Sequence, residues 1–117
     1  MALSVTVQSA SSTPVGGGTW SLGPFTITGT IVPVPLSNNL QSGNTTFTVA
    51  TGAIGVIIAP PAGNAVVIKQ KTITGDTGTA IPEASPSVVL FDPSSPPTSF
   101  FLNAASNTNG YTTITFF

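Results

Sequence analysis

The sequence predicts an all-β protein: a single β-sandwich of about eight short strands, with a jelly-roll arrangement among its options, behind an extended N-terminal arm. Three observations predict it. Side chains that suit a pleated surface (19 Thr, 11 Val and 9 Ile) make up one third of the 117 residues. Good helix formers are scarce, with 1 Glu, 2 Lys, 3 Gln, 1 Met and no Arg. Turn residues are frequent, with 12 Gly and 11 Pro. A mean hydropathy of +0.42 and a net charge of −1 place the chain among folded rather than disordered sequences.

The elements follow in chain order. Residues 3–8 alternate strictly, with Leu3, Val5 and Val7 on one side and Ser4, Thr6 and Gln8 on the other. Residues 9–23 carry Ser-Ala-Ser-Ser-Thr-Pro and then Gly16-Gly17-Gly18, a linker composition. Residues 1–23 are therefore expected to form an N-terminal arm with a Gly-rich linker, and residues 24–117 the sandwich. A strand of six residues beyond a linker buries little by itself. It can add to a sheet edge, of a neighbour or of its own domain, with Leu3, Val5 and Val7 filling alternate pockets. Trp20, just after the glycines, reads as a lid on the core or as an anchor in a neighbouring subunit.

Further strands are expected over residues 24–34, 45–50, 55–59, 65–74, 87–91, 98–102 and 111–117. Within the first of these, Gly29 marks a bulge or a close backbone approach. The breakers between strands are Pro60-Pro61-Ala62-Gly63-Asn64, Asp92-Pro93-Ser94-Ser95-Pro96-Pro97 and Ser106-Asn107-Thr108-Asn109-Gly110, whose Asn109-Gly110 suits a type I′ hairpin turn. The apolar ends Ile57-Ile58 and Phe116-Phe117 look exposed. Phe116 and Phe117 therefore join Leu3, Val5, Val7 and Trp20 as candidate partner contacts.

Charge excludes more than it suggests. Only 4% of residues are charged, and there is no His or Cys. Two lysines supply too few cations for nucleic-acid binding. Zinc, haem and thiol chemistry lose their usual ligands and nucleophiles. No cofactor is expected. The start lacks a basic segment followed by an apolar one, so no signal peptide is expected. The longest apolar run, around Ile54-Gly55-Val56-Ile57-Ile58, is far below the roughly 20 residues of a membrane-spanning helix, and no membrane partner is expected. All five charges, Lys69, Lys71, Asp76, Glu83 and Asp92, fall between residues 69 and 92. Lys69 and Lys71 share a strand face, the signature of a solvated or protected edge.

One motif could carry chemistry. Asp76-Thr77-Gly78 matches the tripeptide of aspartic proteases, in which two aspartates share a proton. Gly75 rather than an apolar run precedes it, and the chain has no Arg. The competing reading is a turn in which Asp76 caps its own backbone and Gly78 takes a positive φ. No enzymatic activity is expected, and a dimeric aspartic-type hydrolase is the remote alternative.

A resemblance adds to this reading. The order Pro60-Pro61-Ala62-Gly63-Asn64, a strand, Gly75-Asp76-Thr77-Gly78, Pro86 with Ser87-Val88-Val89-Leu90, a turn, and Ser99-Phe100-Phe101-Leu102 resembles small β-rich virion-associated proteins of tailed bacteriophages. It covers roughly residues 45–117. The resemblance implies a decoration, cement or head–tail accessory protein, made in the host cytoplasm and resident in the virion. Its implied partners are the major capsid protein or other virion subunits, in a homo-oligomer (trimer or dimer). The alternative is a receptor- or carbohydrate-binding module of a phage fibre.

Overall fold

The computed structural model describes residues 4–7, 10–12, 20–22, 25–71 and 75–117. Its strands are β1 (Ser4–Val7), β2 (Ala10–Ser12), β3 (Trp20–Leu22), β4 (Phe25–Thr28), β5 (Val34–Asn38), β6 (Gly43–Thr48), β7 (Gly55–Ala59), β8 (Ile68–Lys71), β9 (Thr79–Ala80), β10 (Ser87–Leu90), β11 (Ser99–Ala104) and β12 (Thr112–Phe116). Among the described residues there is no helix.

β5 to β12 form the expected sandwich. One antiparallel sheet has the order β10-β7-β12-β5 and the other β6-β11-β8-β9. The first and last of these eight strands lie side by side. The chain changes sheet at every connection except the one from β8 to β9. This is the strand order of a jelly roll, two interlocked Greek keys. The alternation of residue types builds it. Along β11, Phe100, Leu102 and Ala104 are buried, while Ser99, Phe101 and Asn103 are only partly covered. Along β12 the buried set is Thr112, Ile114 and Phe116. These faces meet Leu40, Phe47, Val56, Ile58 and Ile68 in one core. Phe47 stacks on Phe100 with ring centroids 5.6 Å apart, and Phe100 meets Phe116 edge to face at 6.1 Å.

Phe117 continues the ladder beyond β12. Its N–H donates to the Gly55 carbonyl at 3.1 Å, and its own carbonyl accepts from Ile54 at 2.7 Å and Gly55 at 3.2 Å. Two glycines make room for it. A Cβ on Gly29 would lie 2.9 Å from the Phe117 backbone, and one on Gly55 would lie 2.8 Å from both the Phe117 ring and the Val89 carbonyl. Gly29 is thus the close approach that its isolated position suggests.

Three features stand apart from the expected strand assignments. The first lies in the N-terminal segment. β1 pairs with β4, Ser4 opposite Thr28, and β2 pairs with β3, Ala10 opposite Leu22. One register relates both ladders, the described pairings of an N-terminal hairpin. The cause is the β-rich polar face on both sides: Ser4 bonds Thr28 and Thr6 bonds Thr26 through their hydroxyls, at 3.3 and 3.1 Å.

The second departure is β5, which the two prolines at 33 and 35 hid. Proline is tolerated on an edge strand, and β5 is one. The third is Asn109-Gly110. No non-glycine residue among those described has a positive φ, so a type I′ turn is not formed there. β11 and β12 lie in different sheets, and the loop between them crosses the sandwich. It is pinned by buried Thr108, whose N–H and hydroxyl both donate to the Leu40 carbonyl, at 2.9 and 3.2 Å.

Candidate interaction surface

Among the described residues no group of three His, Cys, Asp or Glu side chains could hold a metal ion, and no helix is long and apolar enough to cross a membrane. The Asp-Thr-Gly tripeptide forms the turn that competed with the protease reading. Gly78 takes φ +79° and its N–H donates to Asp76 Oδ1 at 3.4 Å. A side chain on Gly78 would strike Lys71, at 2.7 Å. Asp92 caps its own turn in the same way. The Ser94 hydroxyl and the Ser94 N–H donate to Asp92 Oδ1 at 2.7 and 2.9 Å. Those two bonds, the hydroxyl first, hold the exposed carboxyl below its ordinary pKa of 3.8.

A cleft of about 560 Å³ opens between the loop from β6 to β7 and the loop from β10 to β11. Val49, Ile54, Phe91, Pro93 and Pro96 make its walls apolar, and Asp92 is the one titratable group in the lining. The cleft can take an apolar side chain. It offers no general acid–base pair, because the only carboxylate is solvent-exposed and engaged with Ser94.

The candidate partner contacts come out as follows. Leu3 lies outside the described residues. Val5 and Val7 sit in β1, opposite Ile27 and Phe25. Trp20 opens β3, opposite Ser12. Phe116 and Phe117 are the correction: they are 1% and 0% exposed and present nothing to a partner, Phe116 packed in the core between the sheets and Phe117 against Gly29 and Gly55 on the other face of its sheet. Their position at the end of the sequence suggested exposure. The closure of β12 between β5 and β7 buries Phe116 instead, and Phe117 is covered where Gly29 and Gly55 approach it closely.

The surface that is left for contacts was not singled out in the sequence. Val32, Val34, Leu36, Val67, Val88, Leu90 and Tyr111 are large apolar side chains in solvent. Most of them lie at the two outer strands of one sheet. At β5, Val34 and Leu36 face Phe116 and Ile114 across the ladder, hence the core side, yet both are exposed. The opposing sheet does not cover them. At β10, Val88 and Leu90 stand on the outer face, opposite Ile57 and Gly55. Period-2 alternation finds such strands but does not tell which will be an edge, since that depends on strand order.

Hydrogen-bond phase separates the two edges. Phe117 and Gly55 exchange bonds, so Thr115 and Thr113 turn their amides to β7, and Phe116, Ile114 and Thr112 turn theirs to β5. Positions 33, 35 and 37 of the β5 segment therefore face open solvent, and two of them are proline. That edge lacks donors where an added strand would need them. On the other side, the Phe91 N–H donates to the Ile54 carbonyl at 2.9 Å. Ser87 and Val89 are then bonded to β7, and the N–H and C=O groups of Val88 and Leu90 point outward.

Compared with protein-family models, with curated proteins and with solved structures, the chain matches none.

Proposed function

We propose that this chain is a non-enzymatic structural protein of a virion, decorating or stabilising a bacteriophage capsid through protein–protein contacts. The observation that carries the proposal is the jelly-roll strand order, an architecture used by viral capsid domains and by lectins. Fold alone does not assign function, and the surface supplies the second support. It is nearly free of charge and rich in Thr, Ser and Asn, and it carries apolar side chains at the sheet edges. A free protein so constituted has little electrostatic repulsion to keep copies apart. A subunit held on a shell does not need that repulsion. The partners are the major capsid protein or other virion subunits, the location is the assembled particle, and copies associate with one another.

The test is direct. Particles of the phage that encodes the chain, banded in a density gradient and analysed by mass spectrometry, contain the protein at a fixed ratio to the capsid subunit. Recovery of the protein only in the unbanded lysate fraction overturns the proposal.

A second reading, a receptor- or carbohydrate-binding module of a phage fibre, has one observation in its favour. Tyr111 is 67% exposed, and an aromatic face beside polar groups suits a sugar ring. Binding of the purified protein to a glycan array, lost in Tyr111→Ala, selects that reading.

A further inference from the structure

We propose that the free edge of β10 is the self-association surface, and that its occupant is β10 of a second copy of this chain, paired antiparallel about a two-fold axis through Val89. The inference rests on the reading of the chain as an assembly protein and names the partner of one surface.

Four edges end the two sheets: β5, β10, β6 and β9. β9 has two residues, too few for a stable ladder. β5 is blunted by Pro33 and Pro35, as argued above. β6 is long enough, but its outward amides belong to Asn44, Thr46 and Thr48, whose exposed polar side chains stay hydrated. The phase of that ladder follows from the Val49 N–H, which donates to the Thr98 carbonyl at 2.9 Å. β10 alone among the described edges combines outward main-chain groups with large apolar side chains. Val88 is 38% and Leu90 53% exposed, and no charge or proline interrupts Ser87–Leu90. An uncovered edge of this kind recruits a strand.

The strand it fits is itself. With Val89 opposite Val89 of the second copy, Val88 of each chain faces Leu90 of the other. Both of these are hydrogen-bonded positions, so each pair exchanges two N–H···O bonds. Val88 and Leu90 all stand on the outer face and form apolar cross-strand pairs beside Ile57. No like charges oppose one another: Asp92 falls opposite Pro86 of the second copy, and Glu83 lies beyond the ladder. The contact is isologous, as a closed dimer requires. It joins two four-stranded sheets into one of eight.

Sedimentation velocity of the isolated protein over a concentration series tests this. The wild type passes from monomer to dimer as concentration rises. Leu90→Lys, which places a charge on the edge, weakens association about tenfold or more, with an unchanged thermal melt. Thr46→Lys on the β6 edge leaves association as it was. Amide exchange provides a readout on the unaltered chain. The Val88 and Leu90 amides, unbonded within the monomer, become protected at high concentration and exchange freely on dilution. A wild type that stays monomeric throughout, a Leu90→Lys dimer of undiminished affinity, or fast Val88 and Leu90 exchange in the dimer overturns the inference. None of these measurements uses a virion, so a failure here stays distinct from absence of the protein in particles.

Discussion

Phe117 occupies space that Gly29 and Gly55 vacate, and the backbone around it cannot retreat, because its N–H and carbonyl are bonded to residues 54 and 55. Adding one methyl at Gly55 overpacks this site against the Phe117 ring and the Val89 carbonyl. Gly55→Ala is expected to cost about 1–3 kcal/mol. Phe117→Ala, which empties the site, costs about 3–5 kcal/mol. Urea unfolding followed by circular dichroism measures both. The Asp92 turn gives a pH signature of a different kind. Its two bonds from Ser94 exist with the ionised carboxylate, so the folded pKa lies below the unfolded value of 3.8. A depressed carboxylate contributes stability that is present above the unfolded value and disappears as pH falls through the folded one. NMR titration of the Asp92 carboxyl is expected to show a midpoint below 3.8, and Ser94→Ala moves that midpoint upward.

At the scale of elements, the N-terminal hairpin and the sandwich are separate ladders: among the described residues β1 pairs with β4 and β2 with β3, and no ladder joins them to either four-stranded sheet. Deleting residues 1–24 is therefore expected to leave the melting temperature of the sandwich unchanged. A large drop in a differential scanning experiment would show instead that the hairpin supports the core. The strands with undisturbed alternation were legible in the sequence. Residues 55–59, 87–91 and 111–117 match β7, β10 and β12 nearly end to end, because each carries branched or aromatic residues on the buried side. What was illegible has physical causes. β5 was missing from the expected strands because Pro33 and Pro35 interrupt its pattern, and they are harmless where an amide position faces solvent. β2 and β3 are only three residues each and pair with one another, so no local pattern marks them. The edge surface was hidden for the same reason as β5: edges belong to topology rather than to local sequence. Asp76 and Asp92 were legible as turn residues because an Asx turn needs only its own next two residues.

For the whole molecule, the five charges decide how it meets others. Contacts made by uncharged main chain and by Val, Leu and Thr are insensitive to screening, whereas charge-steered association weakens as salt rises. Association of this protein with itself or with a particle is expected to be unchanged between low and high ionic strength, measured by sedimentation. A steep loss with salt would point to a charged partner surface seated on Lys69 and Lys71.

The strand order has a further consequence, in time rather than in space. β5 finds its partner β12 only after nearly the whole sandwich sequence has been made, and β6 waits for β11. Within the sandwich, β8 and β9 alone are neighbours both in sequence and in the sheet. Closing such distant pairs carries loop entropy that must be met before any ladder forms, which places folding in the millisecond-to-second range. During that interval the apolar strands β7, β10 and β12 are unpaired and at hand for any neighbouring chain. A molecule destined to sit beside copies of itself thus passes through its stickiest state while newly made, so its yield in the cell should depend on how fast it is synthesised.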